Sequence, residues 1–207
     1  DSKILRDLRK KIDKILDDVY RELKKNEKNK YVFYQKYLYP ESNLAYYLQW
    51  KVLSNISIKK LILKSNLHKY IVKNISKNYL IFTMIFFRNH IYSNKAIRAL
   101  KHDFNFHRDD YHGHATNTFW IPLNNITKRT GGLTFLSKNL VSKQDENKFI
   151  KIGKYKNYYI YQVKCKVGEC FMFNKKLLHG SNSPKKNFSK ISIDIRIIDK
   201  KKLNLKK

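Results

Sequence analysis

The first part of the chain places apolar side chains at helical spacing. From residue 3 to residue 24, isoleucines, leucines and a valine recur every three or four positions with charged residues between them. This pattern predicts one long amphipathic helix. Its apolar stripe could bind a partner or a membrane surface, or it could pack on a sheet of the same chain, and we favour the second interpretation.

The pattern stays mainly helical from residue 31 to residue 77. Pro40 interrupts it, and Ser42 or Asn43 can cap the helix that follows. The basic stretch 24–30 is typical of a solvated helix end or a linker. We therefore expect two further helices after the first.

The pattern changes at Tyr79, where the run YLIFTMIFF is continuously apolar and rich in residues that favour strands. Short strand-like segments separated by turn signals continue to Ile198. The predicted strands span 80–87, 96–100, 116–123, 133–136, 158–164, 170–174 and 190–198. Many short strands without intervening helices are typical of a sandwich or a jelly roll, of which the double-stranded β-helix is one form. The sequence thus predicts an α+β fold with N-terminal helices packed against a double-stranded β-helix.

The length of 207 residues is sufficient for one well-buried domain. We divide it into a helical region 1–78, which supports or covers the rest and is not independent, a β core 79–198, and a basic C-terminal tail 199–207. The longest apolar run is too short to span a membrane, and the first residues lack the apolar region of a signal peptide. We therefore expect a cytoplasmic protein without a membrane span.

The net charge of the chain indicates which class of partner it favours. Lysine and arginine number 45 against 16 acidic residues, which gives a formal net charge of +29. Such an imbalance favours a polyanionic partner, for example nucleic acid, a membrane surface or a phosphorylated substrate. An AT-rich genome would also raise the lysine content, although it would not explain the scarcity of acidic residues. Some preference for anions therefore remains.

The two cysteines, Cys165 and Cys170, flank a Val-Gly turn signal and belong to no zinc or CxxC pattern. We expect both to be free thiols.

Candidate metal ligands are concentrated in FHRDDYHGH, residues 106–114. In an extended chain, His107 and Asp109 project to the same side, so an imidazole and a carboxylate can converge. About 70 residues later, His179 follows the apolar segment CFMFN and is a candidate third ligand. Two histidines and one carboxylate form the facial triad of non-haem iron(II) oxygenases. A His-x-Asp pair alone is weak evidence because it occurs by chance in many chains.

Other residues of this segment leave alternatives open. Asp110, His112 and His114 could be ligands, substrate-binding groups or ordinary loop residues. Asp110 would project away from His107 in an extended chain, so Asp109 is the better candidate ligand.

The last predicted strand, KISIDIRI at 190–197, alternates polar residues with isoleucines. Lys190, Ser192, Asp194 and Arg196 share one face, and four isoleucines share the other. A row of buried polar side chains is unfavourable unless they are paired or meet a ligand. We expect the isoleucine face to be core and the polar face to bind an anion.

Taken in order, HRDDYHGH, TFWIPL, GGLTF, VGECFMFN, LHGSN and KISIDIRI resemble the phytanoyl-CoA dioxygenase-like oxygenases. More narrowly, they resemble bacterial hydroxylases of antibiotic and sugar-derived pathways. The resemblance covers about 96–198. It implies iron(II) held by His107, Asp109 and His179, with 2-oxoglutarate and dioxygen as cosubstrates.

The resemblance also implies that basic residues of the last strand bind 2-oxoglutarate. Family members commonly open this strand with Arg-x-Ser, whereas this chain has Lys190-Ile191-Ser192. Because lysine is a point charge without the planar fork of arginine, we expect Arg196 to be the stronger clamp, assisted by Lys190 and Ser192. Thr118 is a further expected donor to the cosubstrate, and Arg98 is a candidate anion contact.

The resemblance and the charge together predict a hydroxylase of an anionic small molecule, such as a sugar acid, a phosphorylated or nucleotide-linked sugar or a carrier-bound metabolite. The presence of Asp109 argues against a halogenase, which needs that coordination position for chloride. Two alternatives remain open. One is a nucleic-acid or protein demethylase of the same chemistry, and the other is a non-catalytic jelly-roll protein that keeps the triad as a structural metal site.

Overall fold

The structure is a computed structural model that describes residues 2–23, 27, 29–37, 42–84, 106–109, 115–139, 148–182 and 190–202. Within these ranges, five α-helices precede eight β-strands. The helices are α1 Ser2–Leu23, α2 Lys30–Tyr37, α3 Asn43–Asn55, α4 Ile58–Leu63 and α5 Asn66–Asn74. The strands are β1 Tyr79–Met84, β2 Ala115–Pro122, β3 Gly132–Ser137, β4 Phe149–Tyr155, β5 Tyr158–Val163, β6 Phe171–Asn174, β7 His179–Asn182 and β8 Ser192–Asp199.

The helical region contains more helices than the pattern predicts. The first helix is confirmed, but four helices follow it instead of two. Ser42 caps α3 as expected, with its hydroxyl 3.1 Å from the amide nitrogen of Ala45. A second cap at Ser57, whose hydroxyl accepts from the amide of Lys60, begins α4 only three residues after α3 ends. Closely spaced caps therefore divide one continuous apolar pattern into short helices.

The strands form two four-stranded antiparallel sheets. The first sheet has the order β1-β8-β2-β6 and the second has the order β4-β5-β3-β7. Helices and antiparallel sheets thus occur in one chain, in agreement with the predicted α+β class. The sequence pattern missed β4 and β7, and the predicted strand 96–100 lies outside the described residues.

The first sheet packs its apolar face on the helices. The four isoleucines at alternate positions 191–197 are each at most 1% exposed. They form one buried cluster with Phe119, with the apolar stripe of α1 and with buried residues of α3, α4 and α5. The stripe of α1 is therefore part of the core of its own chain, as the favoured interpretation predicts.

A second buried cluster joins the two sheets. It contains Trp120 and Phe173 from the first sheet and Phe135, Tyr161 and Val163 from the second. Trp120 pairs with Asp194 of β8, and paired residues project to the same side of a sheet, so the polar face of β8 lies on the same side as this cluster. The space between the two sheets is therefore lined partly by apolar and partly by polar side chains.

Three further features complete the fold. Both cysteines are free, with Cys165 buried and Cys170 exposed. In the predicted C-terminal tail, Asp199 ends β8 and Lys200–Lys202 form a 3-10 helix, whereas residues 203–207 lie outside the described part. None of the helices described is long and apolar enough to cross a membrane.

Candidate metal centre

A short backbone pairing brings the two candidate histidine ligands together. His107 and His179 form an isolated antiparallel bridge, in which the amide of each donates to the carbonyl of the other at 2.9 and 3.0 Å. His179 is also the first residue of β7 and lies opposite Phe135 on β3. The imidazole rings have their centroids 4.4 Å apart. The fold thus brings together two histidines that are far apart in the sequence.

Asp109 completes the cluster. Its amide donates to the carbonyl of Lys175 at 3.2 Å, which keeps residues 107–109 beside the chain that leads into β7. Its side chain is buried, with 1% of the residue exposed. One ligand atom from each of His107, Asp109 and His179 lies within 4.8 Å of the others. The three predicted ligands are therefore close enough to share one cation.

Two donors hold the carboxylate of Asp109. The hydroxyl of Thr118 donates to Oδ2 at 3.0 Å, and Nη2 of Arg196 donates to Oδ1 at 3.2 Å. Burial acts to raise the pKa of this carboxyl, but the nearby charge of Arg196 and these hydrogen bonds hold the pKa below its usual value. Asp109 therefore remains an anion and can act as a ligand for a cation.

The orientation of His179 is set by a backbone carbonyl. Nδ1 of the ring lies 2.9 Å from the carbonyl oxygen of Leu177. A carbonyl oxygen only accepts, so Nδ1 carries the proton and donates it. In the neutral ring, Nε2 then keeps its lone pair, and this atom lies 3.8 Å from Oδ1 of Asp109. A metal-binding histidine has the same arrangement, with one nitrogen donating to a carbonyl and the other directed at the metal.

The donor set fits iron(II). Imidazole nitrogen and carboxylate oxygen suit a divalent first-row metal, and a set of two histidines and one carboxylate leaves further coordination positions for other ligands. Thiolate ligands, which would favour zinc or an iron–sulfur cluster, are not among the three residues.

The basic residues predicted to bind the cosubstrate occupy two different places. Lys190 and Ser192, at the start of the last strand, are at most 1% exposed. Arg196 lies six residues after Lys190, roughly 20 Å further along an extended chain. The hydrogen bond of Arg196 to Asp109 places its guanidinium beside the metal cluster, and its expected role as the cosubstrate clamp stays a prediction. Thr118 is directly opposite Arg196 on β2 and is directed at the same carboxylate.

Trp120, two positions after Thr118 on β2, is 3% exposed and packs in the apolar cluster between the sheets. The other candidates from the sequence, Arg98, Asp110, His112 and His114, lie outside the described residues. The sequence did not indicate the role of the Leu177 carbonyl, because every residue has such a group and no side-chain pattern marks this one.

Comparison with known proteins identifies a family. The model of the phytanoyl-CoA dioxygenase (PhyH) family matches residues 51–190, which is more than half of the chain. No match was found among the curated proteins.

Solved structures give distant similarities. The chain is similar to the non-heme monooxygenase ThoJ in its nickel complex, with 14% identity over 64% of this chain and 49% of that chain and a TM-score of 0.44. It is also similar to EvdO2 from Micromonospora carbonacea var. aurantiaca, with 8% identity over 69% and 63% and a TM-score of 0.47. For EctD from S. alaskensis with 2-oxoglutarate and 5-hydroxyectoine, the identity is 14% over 59% and 44% and the TM-score is 0.39. The chain spans less than two thirds of the length of each of these proteins.

Proposed function

Because the chain belongs to the phytanoyl-CoA dioxygenase family, we propose that it is an iron(II)- and 2-oxoglutarate-dependent dioxygenase that hydroxylates an anionic small molecule. The observation that carries this proposal is the convergence of His107, Asp109 and His179 within 4.8 Å of one another. Family membership supports the class of reaction, and the residues at the cluster supply the ligands that this class needs.

Each residue of the centre has a role in this proposal. Iron(II) would be held by His107, by Asp109 and by Nε2 of His179, and with 2-oxoglutarate it would supply the dioxygen-dependent oxidation of a C–H bond. The Leu177 carbonyl holds the ring of His179 in one orientation. The burial of Asp109 and His179 keeps water away from the ligand atoms.

Lys190 and Ser192 are the residues that we assign to the cosubstrate carboxylate. Lys190 is fully buried, and its ammonium group can form a charge-assisted hydrogen bond with a carboxylate. Ser192 lies on the same face of the strand and can donate a hydroxyl hydrogen bond. Arg196, which the sequence favoured for this task, is already bonded to Asp109.

The fold that we infer is a double-stranded β-helix with the N-terminal helices packed on its first sheet. The two facing antiparallel sheets and the placement of the ligands on β7 and on the segment beside it support this inference. The shared cluster of helices and first sheet supports a helical region 1–78 that is not independent.

The formal charge of +29 supports an anionic substrate, because a positive protein field attracts anions and raises their local concentration. A panel of sugar acids, phosphorylated sugars and carrier-bound acids would test this part of the proposal. Succinate release above the rate without substrate identifies the class. If neutral analogues stimulate release as well as the anions do, the assignment of an anionic substrate is wrong.

Anaerobic iron(II) titration combined with a succinate-release assay tests the centre itself. We expect His107→Ala and Asp109→Ala to lose stoichiometric iron binding and 2-oxoglutarate turnover. His68→Ala is the matched control, since His68 is half-buried in α5 and bonds to the Tyr79 hydroxyl away from the cluster. Full metal binding in both site variants would contradict the assignment of the three metal ligands. Metal binding without 2-oxoglutarate-dependent oxygen uptake would identify a non-catalytic metal-binding protein.

A nucleic-acid substrate is the second candidate, and the β4–β5 hairpin favours it. Residues 148–164 contain five lysines and no acidic residue. Nζ of Lys151 lies 4.4 Å from the ring centroid of Tyr159, and Nζ of Lys154 lies 5.2 Å from it. Tyr155 is 50% exposed, and its ring contacts Phe106, the residue before His107, at 5.9 Å between centroids. Basic side chains interleaved with aromatic rings are typical of surfaces that bind single strands.

Fluorescence anisotropy with labelled single-stranded oligonucleotides distinguishes the two candidates. Binding that weakens steeply with salt, and that falls in Lys154→Gln but not in the helical control Lys10→Gln, would favour the nucleic-acid substrate. Binding that depends equally on both lysines would reflect net charge only.

A further inference from the structure

Both oxygens of the Asp109 carboxylate are engaged by buried donors from adjacent strands. Thr118 on β2 bonds to Oδ2 at 3.0 Å and Arg196 on β8 bonds to Oδ1 at 3.2 Å. Thr118 and Arg196 lie directly opposite each other in the antiparallel pairing, and they are 1% and 2% exposed. We propose that Thr118 and Arg196 are positioning residues that fix the carboxylate ligand in one orientation. Arg196 would then belong to the metal centre and not to the cosubstrate site.

This inference rests on the proposed function, since it concerns the ligand set of that centre. A carboxylate rotates readily about its last side-chain bond, because that torsion has a broad preference. Two donors that bind different oxygens from different strands remove this rotation. An ionised carboxylate has about four acceptor positions, so each oxygen keeps capacity for another partner after accepting one hydrogen bond.

The geometry also identifies the oxygen that faces the other ligands. Oδ1 lies 3.8 Å from Nε2 of His179, whereas Oδ2 accepts from Thr118. A cation between the two histidines and Asp109 would therefore meet Oδ1, the oxygen that also accepts from Arg196, while Oδ2 accepts from Thr118. Binding through a single oxygen leaves more coordination positions open than binding through both, and the proposed reaction needs those positions.

The register of β2 and β8 explains why these two residues act together. Thr118 pairs with Arg196, and the flanking Phe119 and Ile195 pair in turn on the helix-facing side. The pairing that buries the apolar face thus also places the two donors side by side. Because the packed sheet fixes the positions of Thr118 and Arg196, their two hydrogen bonds hold the Asp109 carboxylate rigidly. A metal ligand is oriented by such fixed hydrogen-bond partners.

The test uses variants that keep the net charge, because removing the arginine charge would itself favour a cation and obscure the loss of the hydrogen bond. Thr118→Val removes the donor with little change in volume, and Arg196→Lys keeps the charge but loses the planar fork. Thr134→Val is the matched control. Thr134 is fully buried on β3, and its hydroxyl has no hydrogen-bond partner among the residues that the structure describes.

Cobalt(II) affinity and the cobalt(II) absorption spectrum are measured on the full chain, followed by 2-oxoglutarate affinity at saturating cobalt(II). We expect Thr118→Val and Arg196→Lys each to weaken cobalt(II) binding about 10- to 100-fold and to shift the spectrum. Thr118→Ser, which restores a hydroxyl, is expected to recover most of the affinity. Thr134→Val is expected to change it less than about twofold, and the 2-oxoglutarate affinity of the metal-loaded variants is expected to stay within about threefold.

The outcomes separate this inference from the proposed function. If the wild-type chain binds no cobalt(II), the proposed function fails. If the wild-type chain binds cobalt(II) and both variants bind it equally well, the positioning role is wrong and the proposed function stands. Loss of 2-oxoglutarate affinity in Arg196→Lys with intact cobalt(II) affinity would instead make Arg196 the cosubstrate clamp. Should Thr118→Val not fold, Thr118→Ala against Thr118→Ser gives the same comparison.

Discussion

Both faces of β8 carry buried side chains, but they differ in what these side chains contact. On one face, the isoleucines at alternate positions 191–197 pack on the helices. On the other face, Ser192 and Arg196 are also at most 2% exposed, yet they are polar, and Arg196 bonds to a candidate metal ligand. Burial alone therefore does not separate core from site. The apolar face lowers the free energy of the fold, whereas a buried polar face is unfavourable unless its groups find partners.

The largest predicted effect of a substitution on the free energy of unfolding is on the apolar face. Ile195→Ala should lower the free energy of unfolding by about 2–5 kcal/mol, because it removes buried methyl groups and leaves a cavity beside the helices. Chemical denaturation measures the loss. Leu80→Ala is a suitable control, since Leu80 is an apolar residue of the neighbouring strand β1 that is 41% exposed.

The control should lose only a small fraction of the stability that Ile195→Ala loses. We also expect folded Ile195→Ala to keep the cobalt(II) affinity of the wild-type chain. Equal losses in the two variants, or a large loss of metal affinity in Ile195→Ala, would contradict the separation between the faces.

The polar face should show the opposite behaviour at Lys190. We expect Lys190→Met to weaken 2-oxoglutarate binding by about 2 kcal/mol or more, roughly 30-fold, because a buried ammonium that pairs with a carboxylate is lost. The unfolding free energy should fall less than in Ile195→Ala, since methionine fills most of the volume of the lysine side chain and leaves no large cavity. Competition binding at saturating manganese(II) and thermal denaturation measure the two quantities.

Lys200→Met controls for the change in net charge, because Lys200 is exposed in the 3-10 helix after β8. If this control weakens 2-oxoglutarate binding as much as Lys190→Met, the effect comes from the overall field of the protein. If Lys190→Met binds 2-oxoglutarate normally, the anchor lies elsewhere.

Part of the candidate site could be predicted from short-range patterns in the sequence. The two-residue period of an extended chain predicted that His107 and Asp109 lie close together, although Asp109 itself lies in a 3-10 turn, and the same period separates the two faces of β8. The chemistry of the residue types then indicates a metal and an anion. These inferences need no knowledge of how distant segments pair.

The partner of Arg196 could not be predicted in this way. Its contact with Asp109 depends on the register between β2 and β8, which places Thr118 opposite Arg196. Pairing register is a property of the folded sheet, and the two strands are far apart in sequence. The strand β7 was missed for a related reason, since HGSN is short and polar and is held in place by pairing with β3.

The smallest predicted effect lies in the helical layer behind the apolar face. Ser42→Ala should lower the unfolding free energy by about 1 kcal/mol, because its hydroxyl caps α3 at 3.1 Å and the residue is 4% exposed. Ser57→Ala should cost less, since Ser57 is exposed and its cap distance is 3.4 Å. Denaturant titration of both variants measures the difference. Cobalt(II) affinity should stay at the wild-type value in both, because neither cap contacts the metal cluster. A change in that affinity in Ser42→Ala alone would mean that the helices shape the site through the first sheet, and the two faces of β8 would then be coupled.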